Sequence, residues 1–375
     1  MILHRPFPMN PPGSNFSRRW ARITLLAVLS LAGLGCATSG PYPVSDHYDG
    51  KKFFNPVRIQ DPNLFQLAAH IIAGRDGDWP EHAQNTPELR LDTRPAPDQA
   101  AITFVNHATV LIQIAGYTIL TDPVWSTRVG PFRWAGPKRV RAPGIPFERL
   151  PRIDLVLISH NHYDHLDLPT LRRLERRDRP LVLAPLGDRK LLLNAGITRV
   201  RELDWWERET AAPGIDVTFT RAQHNSGRGL FDKKSSLWGG YFVRFHGRAL
   251  YFAGDTAYAD HFSETRARLG APDIALLPIG AYAPRATMRA FHMDPADAVQ
   301  AQIDLGAPLA IGLHYGTFQL TAEDMDAPVN DLRNALARRA NPPRFLAPGE
   351  GRTQLFTLKR SNSVVLQLGS NQEQR

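Results

Sequence analysis

Three histidines and one aspartate lie within six consecutive positions of this 375-residue chain, in the segment SHNHYDH at 159–165. Imidazole nitrogens and carboxylate oxygens are ligands that zinc and related transition metals bind. Residues two apart in an extended segment face the same side, so His160 and His162 can bind one metal ion. The turn that follows can bring Asp164 and His165 to a second position. Without a cation these polar groups would compete for hydrogen-bond partners at a cost in free energy, and the segment therefore predicts a metal centre.

Six positions cannot complete two metal sites, so further ligands are expected downstream. Three candidates each follow the end of an apolar, β-rich run: His224, Asp255 and His314. The carboxyl ends of strands are the place where ligand sites form in open α/β sheets. Taken singly, a polar residue at such a place is more often a cap or a hydrogen-bonding partner. Their assignment as ligands therefore depends on the cluster at 159–165.

The rest of the chain must supply the strands that position these residues. Short β-rich runs occur at 102–105, 109–114, 117–120, 155–158, 181–184, 216–220, 241–245, 249–253 and 309–313. Helical patterns occur at 168–177, 295–304 and 331–339, and Asp294 with Pro295 is a favourable start for the second of these. Hairpins followed by strands that alternate with helices predict a mixed sheet or pair of sheets covered by helices, in one domain over residues 100–370.

The first 35 residues have the pattern of a signal peptide. Basic residues at 18, 19 and 22 precede an apolar stretch at 23–34, which is shorter than the roughly 20 residues that span a membrane. The single cysteine, Cys36, follows a glycine, as in bacterial lipoprotein signals in which the cysteine is lipidated. We expect a lipoprotein anchored in the bacterial cell envelope and facing the periplasm; ordinary secretion, an uncleaved anchor or a misassigned start are the alternatives.

Two further segments precede the domain. Residues 36–62 are rich in Pro, Gly, Asp and Tyr and are predicted to form a tether. Residues 63–99 are predicted to form an N-terminal helix, with apolar residues at helical spacing over 64–72, and a connecting loop. The apolar face of that helix packs on the domain or, alternatively, contacts lipid.

The formal net charge is +9, which by itself would suit an anionic partner. Arginine greatly outnumbers lysine and is scattered along the chain, which is typical of a GC-rich genome. We therefore expect no nucleic-acid partner.

Several segments in order along the chain resemble the N-acyl-phosphatidylethanolamine-hydrolysing phospholipase D family, within the metallo-β-lactamase superfamily. They are SHNHYDHLD, LTDPVWSTRVGPFRWAGPKRVR, ELDWWE, FAGDTAY, PIGAYAPR, FHMDPADAV and HYGTFQL. The resemblance implies an α/β fold, a four-layer αββα sandwich, here with an N-terminal helical extension. It also implies a dinuclear centre with two Zn²⁺ ions or other divalent transition metals.

The resemblance also implies a role for each ligand. One metal ion would be bound by His160, His162 and His224, and the other by Asp164, His165 and His314. Asp255 would bridge the two and orient the attacking nucleophile. His292, just before the predicted helix at Pro295, is the candidate for stabilising the leaving alkoxide, with a packing or capping role as the alternative.

The implied reaction is hydrolysis of N-acyl-phosphatidylethanolamine-type phospholipids to phosphatidate and N-acylethanolamine at a membrane surface. Three basic residues near His224 are candidate phosphate contacts or, alternatively, a solvated surface: Arg228, Lys233 and Lys234. Asp122 and His107 orient metal ligands or, alternatively, form turns. Other functions left open are a lactonase or phosphoester hydrolase acting on a soluble metabolite, and a non-catalytic lipid-binding protein of the envelope.

Overall fold

The computed structural model describes residues 42–57, 77–85, 95–96, 99–114, 116–229, 231–357 and 365–367. The predicted signal peptide, Cys36 and the predicted helix over 64–72 lie outside the described residues. No helix among the described residues combines the length and the apolar character needed to cross a membrane.

Within these ranges the strands form two mixed sheets. The first sheet has the order β15-β14-β1-β2-β3-β4-β5-β6, with antiparallel pairing from β15 to β3 and parallel pairing from β3 to β6. Its strands are β1 (Gln99–Asn106), β2 (Thr109–Ile114), β3 (Tyr117–Thr121), β4 (Leu155–Leu157), β5 (Leu181–Pro185), β6 (Val200–Leu203), β14 (Thr353–Thr357) and β15 (Val365–Gln367).

The second sheet has the order β13-β12-β11-β10-β9-β8-β7, and like the first it has an antiparallel part and a parallel part. Pairing is antiparallel from β7 to β10 and parallel from β10 to β13. Its strands are β7 (Arg208–Ala212), β8 (Ile215–Thr220), β9 (Gly240–Phe245), β10 (Arg248–Phe252), β11 (Ile274–Pro278), β12 (Leu309–Leu313) and β13 (Arg344–Leu346). Because β8, β10 and β12 run in the same direction, their carboxyl ends meet at one edge of this sheet.

Helices follow the strands and cover the sheets. They are α1 (Leu168–Arg177), α2 (Arg189–Asn194), α3 (His261–Leu269), α4 (Arg285–Met288), α5 (Pro295–Leu305) and α6 (Ala327–Ala337), with a short 3₁₀ helix at Phe147–Arg149. The predicted start of α5 is confirmed, because Asp294 and Asp297 form a reciprocal capping box ahead of it. Helix α6 begins four residues earlier than the pattern predicts, with Pro328 in its first turn.

The four-layer arrangement implied by the resemblance is confirmed by how β4 is buried. Leu155 and Leu157 point into the core between the two sheets, whereas Val156 packs under the helices on the outer face of the first sheet. Successive residues of a strand point to opposite faces, so a strand covered on both sides must be apolar throughout. This explains why the run before the metal-binding segment is continuously apolar instead of alternating.

Residues 42–57, which the composition predicts to be part of a tether, lie against the domain instead. Tyr48 and Phe53 are 2% and 1% exposed and contact each other at a ring distance of 4.5 Å. The Asn55 side chain donates to the main-chain oxygen of His224 at 2.8 Å. Burial of the two aromatic rings outweighs the polar composition that suggested a tether.

Glu350, between β13 and β14, provides a test of the packing around a buried carboxyl group. Its side chain is buried and pairs with Arg141, whose Nε lies 3.2 Å from Oε1. Burial raises the pKa of Glu350 from an ordinary value of 4.5 to about 7, in spite of the attraction of Arg141. Because the folded-state pKa lies above the unfolded one, stability from this group is complete below about pH 4.5 and is lost as the pH rises through about 7.

We predict that Glu350→Gln, which cannot ionise, is less sensitive to pH than the unaltered protein. The stability of the unaltered protein should fall by about 3 kcal/mol relative to the variant as the pH rises across this window. Thermal unfolding midpoints at several pH values measure the difference, with the exposed Glu148→Gln as control. A difference between the two proteins that stays constant with pH would contradict the prediction.

Candidate metal centre

The ends of four strands bring the predicted ligands together at one edge of the sandwich. The segment 159–165 follows β4 of the first sheet, and the other three candidates follow β8, β10 and β12 of the second sheet. Their side chains are buried or nearly so, and their ligand atoms form groups in which all atoms lie within 4.8 Å of one another. Residues separated by more than 150 positions in sequence therefore share one site.

The first group consists of three imidazoles. The distance from His160 Nε2 to His162 Nδ1 is 2.8 Å, and from His162 Nδ1 to His224 Nε2 it is 3.4 Å. Three nitrogens, each about 2.0–2.1 Å from one tetrahedral ion, lie about 3.3 Å from one another. The spacing of these nitrogens suits a single small cation.

The second group adjoins the first and contains Asp164, His165 and His314. Asp164 Oδ2 lies 3.5 Å from His165 Nε2 and 3.5 Å from His314 Nε2. Asp255 Oδ2 lies 3.1 Å from His165 Nε2, 3.0 Å from His314 Nε2 and 3.9 Å from His224 Nε2. The Asp255 carboxylate thus lies between the two groups, where the resemblance puts a bridging ligand; the individual ligand roles remain a prediction.

Unsatisfied polar atoms provide the test of whether these residues suit metal ions. His165 Nε2, His314 Nε2 and Asp255 Oδ1 are buried, and none of them makes a hydrogen bond. A buried polar atom without a partner costs of the order of 1–3 kcal/mol, so such atoms are rare unless a ligand occupies them. The donor set, imidazoles with two carboxylates, fits divalent transition metals.

The protonation states of His160 and Asp255 agree with that fit. Burial and the neighbouring imidazoles hold the pKa of His160 well below its usual range, so the ring is neutral and able to bind metal. Burial alone would raise the pKa of Asp255, but His165 and His314 outweigh it and hold that pKa well below its ordinary value. The carboxylates therefore concentrate negative charge where a cation would bind.

Hydrogen bonds from outside the cluster orient the imidazoles. Asp122 Oδ2 accepts from His165 Nδ1 at 2.7 Å, and the Asp122 carboxylate also accepts from the main-chain nitrogen and hydroxyl of Ser159. His224 Nδ1 donates to the main-chain oxygen of Phe291 at 2.9 Å. Because each of these bonds occupies Nδ1, each leaves Nε2 facing the centre.

Comparison with known proteins agrees with this geometry. A family model described as "Beta-lactamase superfamily domain" matches residues 117–315, more than half of the chain. The N-acyl-phosphatidylethanolamine-hydrolyzing phospholipase D 1 of Caenorhabditis elegans is 38% identical over 248 residues, which are 63% of this chain and 70% of that protein. The chain belongs to the β-lactamase superfamily.

Two further similarities are consistent with this membership. A mitochondrial N-acyl-phosphatidylethanolamine-hydrolyzing phospholipase D of Saccharomyces cerevisiae is 34% identical over 64% of this chain and 53% of its own length. In fold the chain is similar to Igni18, a metallo hydrolase from Ignicoccus hospitalis, with a TM-score of 0.54 and 23% identity over 70% of this chain and 100% of that one. The chain is a metal-dependent hydrolase of this superfamily.

The sequence left the roles of two residues, Asp122 and His107, open. The structure places both of them at the metal centre. Asp122 is both a turn residue, with φ of 32°, and the acceptor that orients His165. His107 lies inside the second group, with Nε2 3.0 Å from Asp164 Oδ2 and its ring 3.9 Å from the ring of His314. The only sequence signal for either is its position directly after a strand.

Thr256 was not predicted, yet it joins the loops that carry two of the ligands. Its hydroxyl accepts from the main-chain nitrogen of Gln223, next to His224, at 2.9 Å. Its main-chain oxygen accepts from Met293 at 3.0 Å. A threonine after a ligand aspartate has many structural uses, so the sequence contained no signal for this one.

Backbone strain accompanies the ligands of this superfamily member. His107, Asp122 and His314 all have positive φ, and the main-chain nitrogen of His314 donates to the oxygen of His107 at 2.7 Å. Positive φ is unfavourable for residues with a Cβ and is typically retained at functional sites. The rings of His107 and His314, two of these residues, lie 3.9 Å apart.

His292 lies close enough to contact the centre. Its side chain is buried, with Nδ1 3.9 Å from Asp255 Oδ2 and the ring 5.1 Å from that of His224. Burial lowers the pKa of His292 to about 4, so the ring is neutral at neutral pH. A neutral ring can donate one hydrogen bond, and the role of His292 at a leaving group stays a prediction.

The three basic candidates are placed differently from one another. Arg228 lines a groove beside Tyr163, and its guanidinium lies 3.9 Å from the centre of that ring. Lys233 and Lys234 are not among the described residues that line this groove. Their role in substrate binding stays a prediction.

We predict that Asp122→Asn weakens metal binding by about 10- to 100-fold, because the amide cannot accept all three hydrogen bonds that orient His165 and Ser159. Zinc affinity, measured by competition with a chromophoric chelator, provides the test. Asp154→Asn is the matched control, since Asp154 accepts a main-chain hydrogen bond from Thr118 in the same sheet, away from the centre. Equal zinc affinity for the Asp122 and Asp154 variants would contradict an orienting role.

Proposed function

We propose that this protein is a dinuclear zinc phosphodiesterase that hydrolyses N-acyl-phosphatidylethanolamine-type phospholipids to phosphatidate and N-acylethanolamine. The observation that carries the proposal is the position of Asp255 between two ligand groups, each with three further donors. The similarity to two phospholipases D of this specificity supports the choice of substrate.

Two metal ions bound at this centre would lower the pKa of bound water toward 7 and neutralise charge on the phosphoryl oxygens. The chain itself positions these elements. Asp255 holds the two ligand groups in register and orients the nucleophile, and Asp122 fixes the ring of His165. The buried surroundings exclude bulk water and strengthen electrostatic interactions with a phosphodiester.

His292 is the proposed partner of the leaving group. An ethanolamine-type alkoxide needs a hydrogen-bond donor as the P–O bond breaks. The neutral imidazole has one N–H to donate, and its ring lies 5.1 Å from the ring of His224 and 5.4 Å from that of His314. A ring nitrogen of His292 lies within 4.8 Å of the ligand atoms of His224 and Asp255, so the ring adjoins the centre directly.

The cellular setting belongs to the same proposal. A lipid anchor at Cys36 would hold the enzyme at the surface of the cell envelope, facing the periplasm, with its phospholipid substrate in the adjacent leaflet. A protein found in the cytoplasm with an unmodified Cys36 would overturn this part.

We predict that the two ligand groups bind separate zinc ions. His224→Ala and His314→Ala should each lose about one equivalent of zinc, because each removes a ligand from a different group. Elemental analysis of the purified proteins measures the stoichiometry, with the exposed His82→Ala as control. Loss of all zinc in both variants, or one equivalent in the unaltered protein, would contradict a dinuclear centre.

We predict that zinc-loaded protein lacking residues 1–35 releases N-acylethanolamine from vesicles that contain N-acyl-phosphatidylethanolamine.

We predict that His292→Ala lowers the kcat of this reaction by about 100-fold or more while the zinc content stays full, since a donor at the leaving group acts in the transition state. A headgroup-resolved hydrolysis screen with a lactone and a phosphomonoester as further substrates measures both. Full zinc loading without turnover of any phosphodiester would overturn the proposed function, and unchanged kcat in His292→Ala would remove that residue from the mechanism.

A further inference from the structure

A second feature adjoins the metal centre: a groove of about 770 Å³. One wall is the segment after β3, from Trp125 to Arg133, and another is helix α1. Tyr163 and Leu166 of the metal-binding segment line its inner end. The groove therefore begins at the same turn that carries Asp164 and His165.

The charged residues that line this groove are almost all basic. Six arginines line it: Arg128, Arg133, Arg172, Arg173, Arg176 and Arg228. The single acidic lining residue, Asp167, is already occupied, because its carboxylate accepts from the main chain and hydroxyl of Ser126 and from the hydroxyl of Thr170 at 2.6–3.0 Å. Apart from Arg173, which pairs with Glu148, the lining arginines have no carboxylate partner among the ion pairs of the described residues.

Arg228 is fixed in place at the inner end. Its Nη1 donates to the main-chain oxygens of Asn161 and Leu166, both at 2.8 Å, and its guanidinium stacks on Tyr163 at 3.9 Å. Both hydrogen bonds come from Nη1, and they hold the plane of the guanidinium group in one orientation. A guanidinium fixed in this way is preorganised to bind a phosphate group with its remaining N–H donors.

Arg172 and Arg176 extend this charge outward. They lie one turn apart on α1 and both are exposed, so they face the same side of the helix. Phe132 and Trp134 stack on each other at 5.2 Å beside the opposite wall, and Trp134 is 62% exposed. Aromatic rings with cationic side chains around a groove suit an amphiphile that carries phosphate.

We propose that this groove is a subsite for a second phosphate group, next to the phosphodiester held at the metal centre. The inference rests on the proposed function and narrows it to phosphodiesters that carry a further phosphate, or that are bound with an anionic phospholipid beside them. Both kinds of ligand would be recognised in the same way, by contacts between a phosphate group and guanidinium groups.

The test uses binding, which does not depend on turnover. Dihexanoyl-phosphatidylinositol and its 4-phosphate differ by one phosphate, and vesicles of phosphatidylcholine with or without phosphatidate offer the same group from a neighbouring lipid. Calorimetry measures the affinity of zinc-loaded protein for the two inositol lipids. Co-sedimentation measures its binding to the two kinds of vesicle. Arg172→Gln/Arg176→Gln is the variant, because Arg228 also supports the metal-binding segment and its removal would disturb the centre.

Arg333→Gln/Arg338→Gln is the matched control, since it removes the same charge from two exposed positions, one on α6 and one at its C-terminal cap. We expect the added phosphate to tighten binding by about tenfold in the unaltered and control proteins and to have little effect in the groove variant. Tighter binding of the inositol lipid that carries the 4-phosphate would show that the groove binds a phosphate of the substrate itself. Tighter binding seen only with the vesicles that contain phosphatidate would show that it binds the phosphate of a neighbouring lipid. No preference in either pair, or a preference that the groove variant retains, would overturn the proposal even if the phosphodiesterase activity is found.

Discussion

The position of one buried carboxylate, Asp255, between two sets of imidazoles is the constraint that the rest of the structure must satisfy. An isolated charge in that place would be strongly destabilising, since burial opposes ionisation. It is tolerated because His165 and His314 lie 3.1 and 3.0 Å away and hold its pKa low. The four strand ends must therefore keep their relative positions.

Two kinds of interaction maintain those positions. Apolar packing on both faces of strands such as β4 fixes the strands themselves. Hydrogen bonds then fix the loops: Asp122 connects the loops after β3 and β4 through Ser159, and Thr256 connects the loops after β8 and β10. Gly254 allows the sheets to approach, since it has φ of 62° and a Cβ there would lie 2.5 Å from the Cβ of Ser159. The centre is thus supported by elements from both sheets.

The metal-binding segment also connects the centre with the basic groove. Arg228 donates to the main-chain oxygens of Asn161, inside the histidine cluster, and of Leu166, directly after it. A ligand in the groove and a ligand at the centre would therefore contact the same turn. The proposed phosphate subsite thus lies outside the set of predicted metal ligands but on the same segment of chain.

The sequence alone determined the local parts of this protein. Continuous apolar runs predict strands buried on both faces, and the spacing of His160, His162, Asp164 and His165 predicts two metal positions, because local geometry decides which side chains share a face. Strand ends indicated His224, Asp255 and His314 for the same reason. The run that forms β11 was not predicted, although it is as continuously apolar as the run that forms β12.

Only the tertiary structure decided which distant residues meet. His107 and Asp164 are 57 positions apart, and their contact depends on the order of strands in the sheet, which spacing along the chain does not encode. The same holds for Arg228, which the fold turns into the groove while Lys233 and Lys234 do not line it. Local sequence sets the direction of a side chain relative to its own strand or turn, whereas the packing of the two sheets sets what that side chain faces.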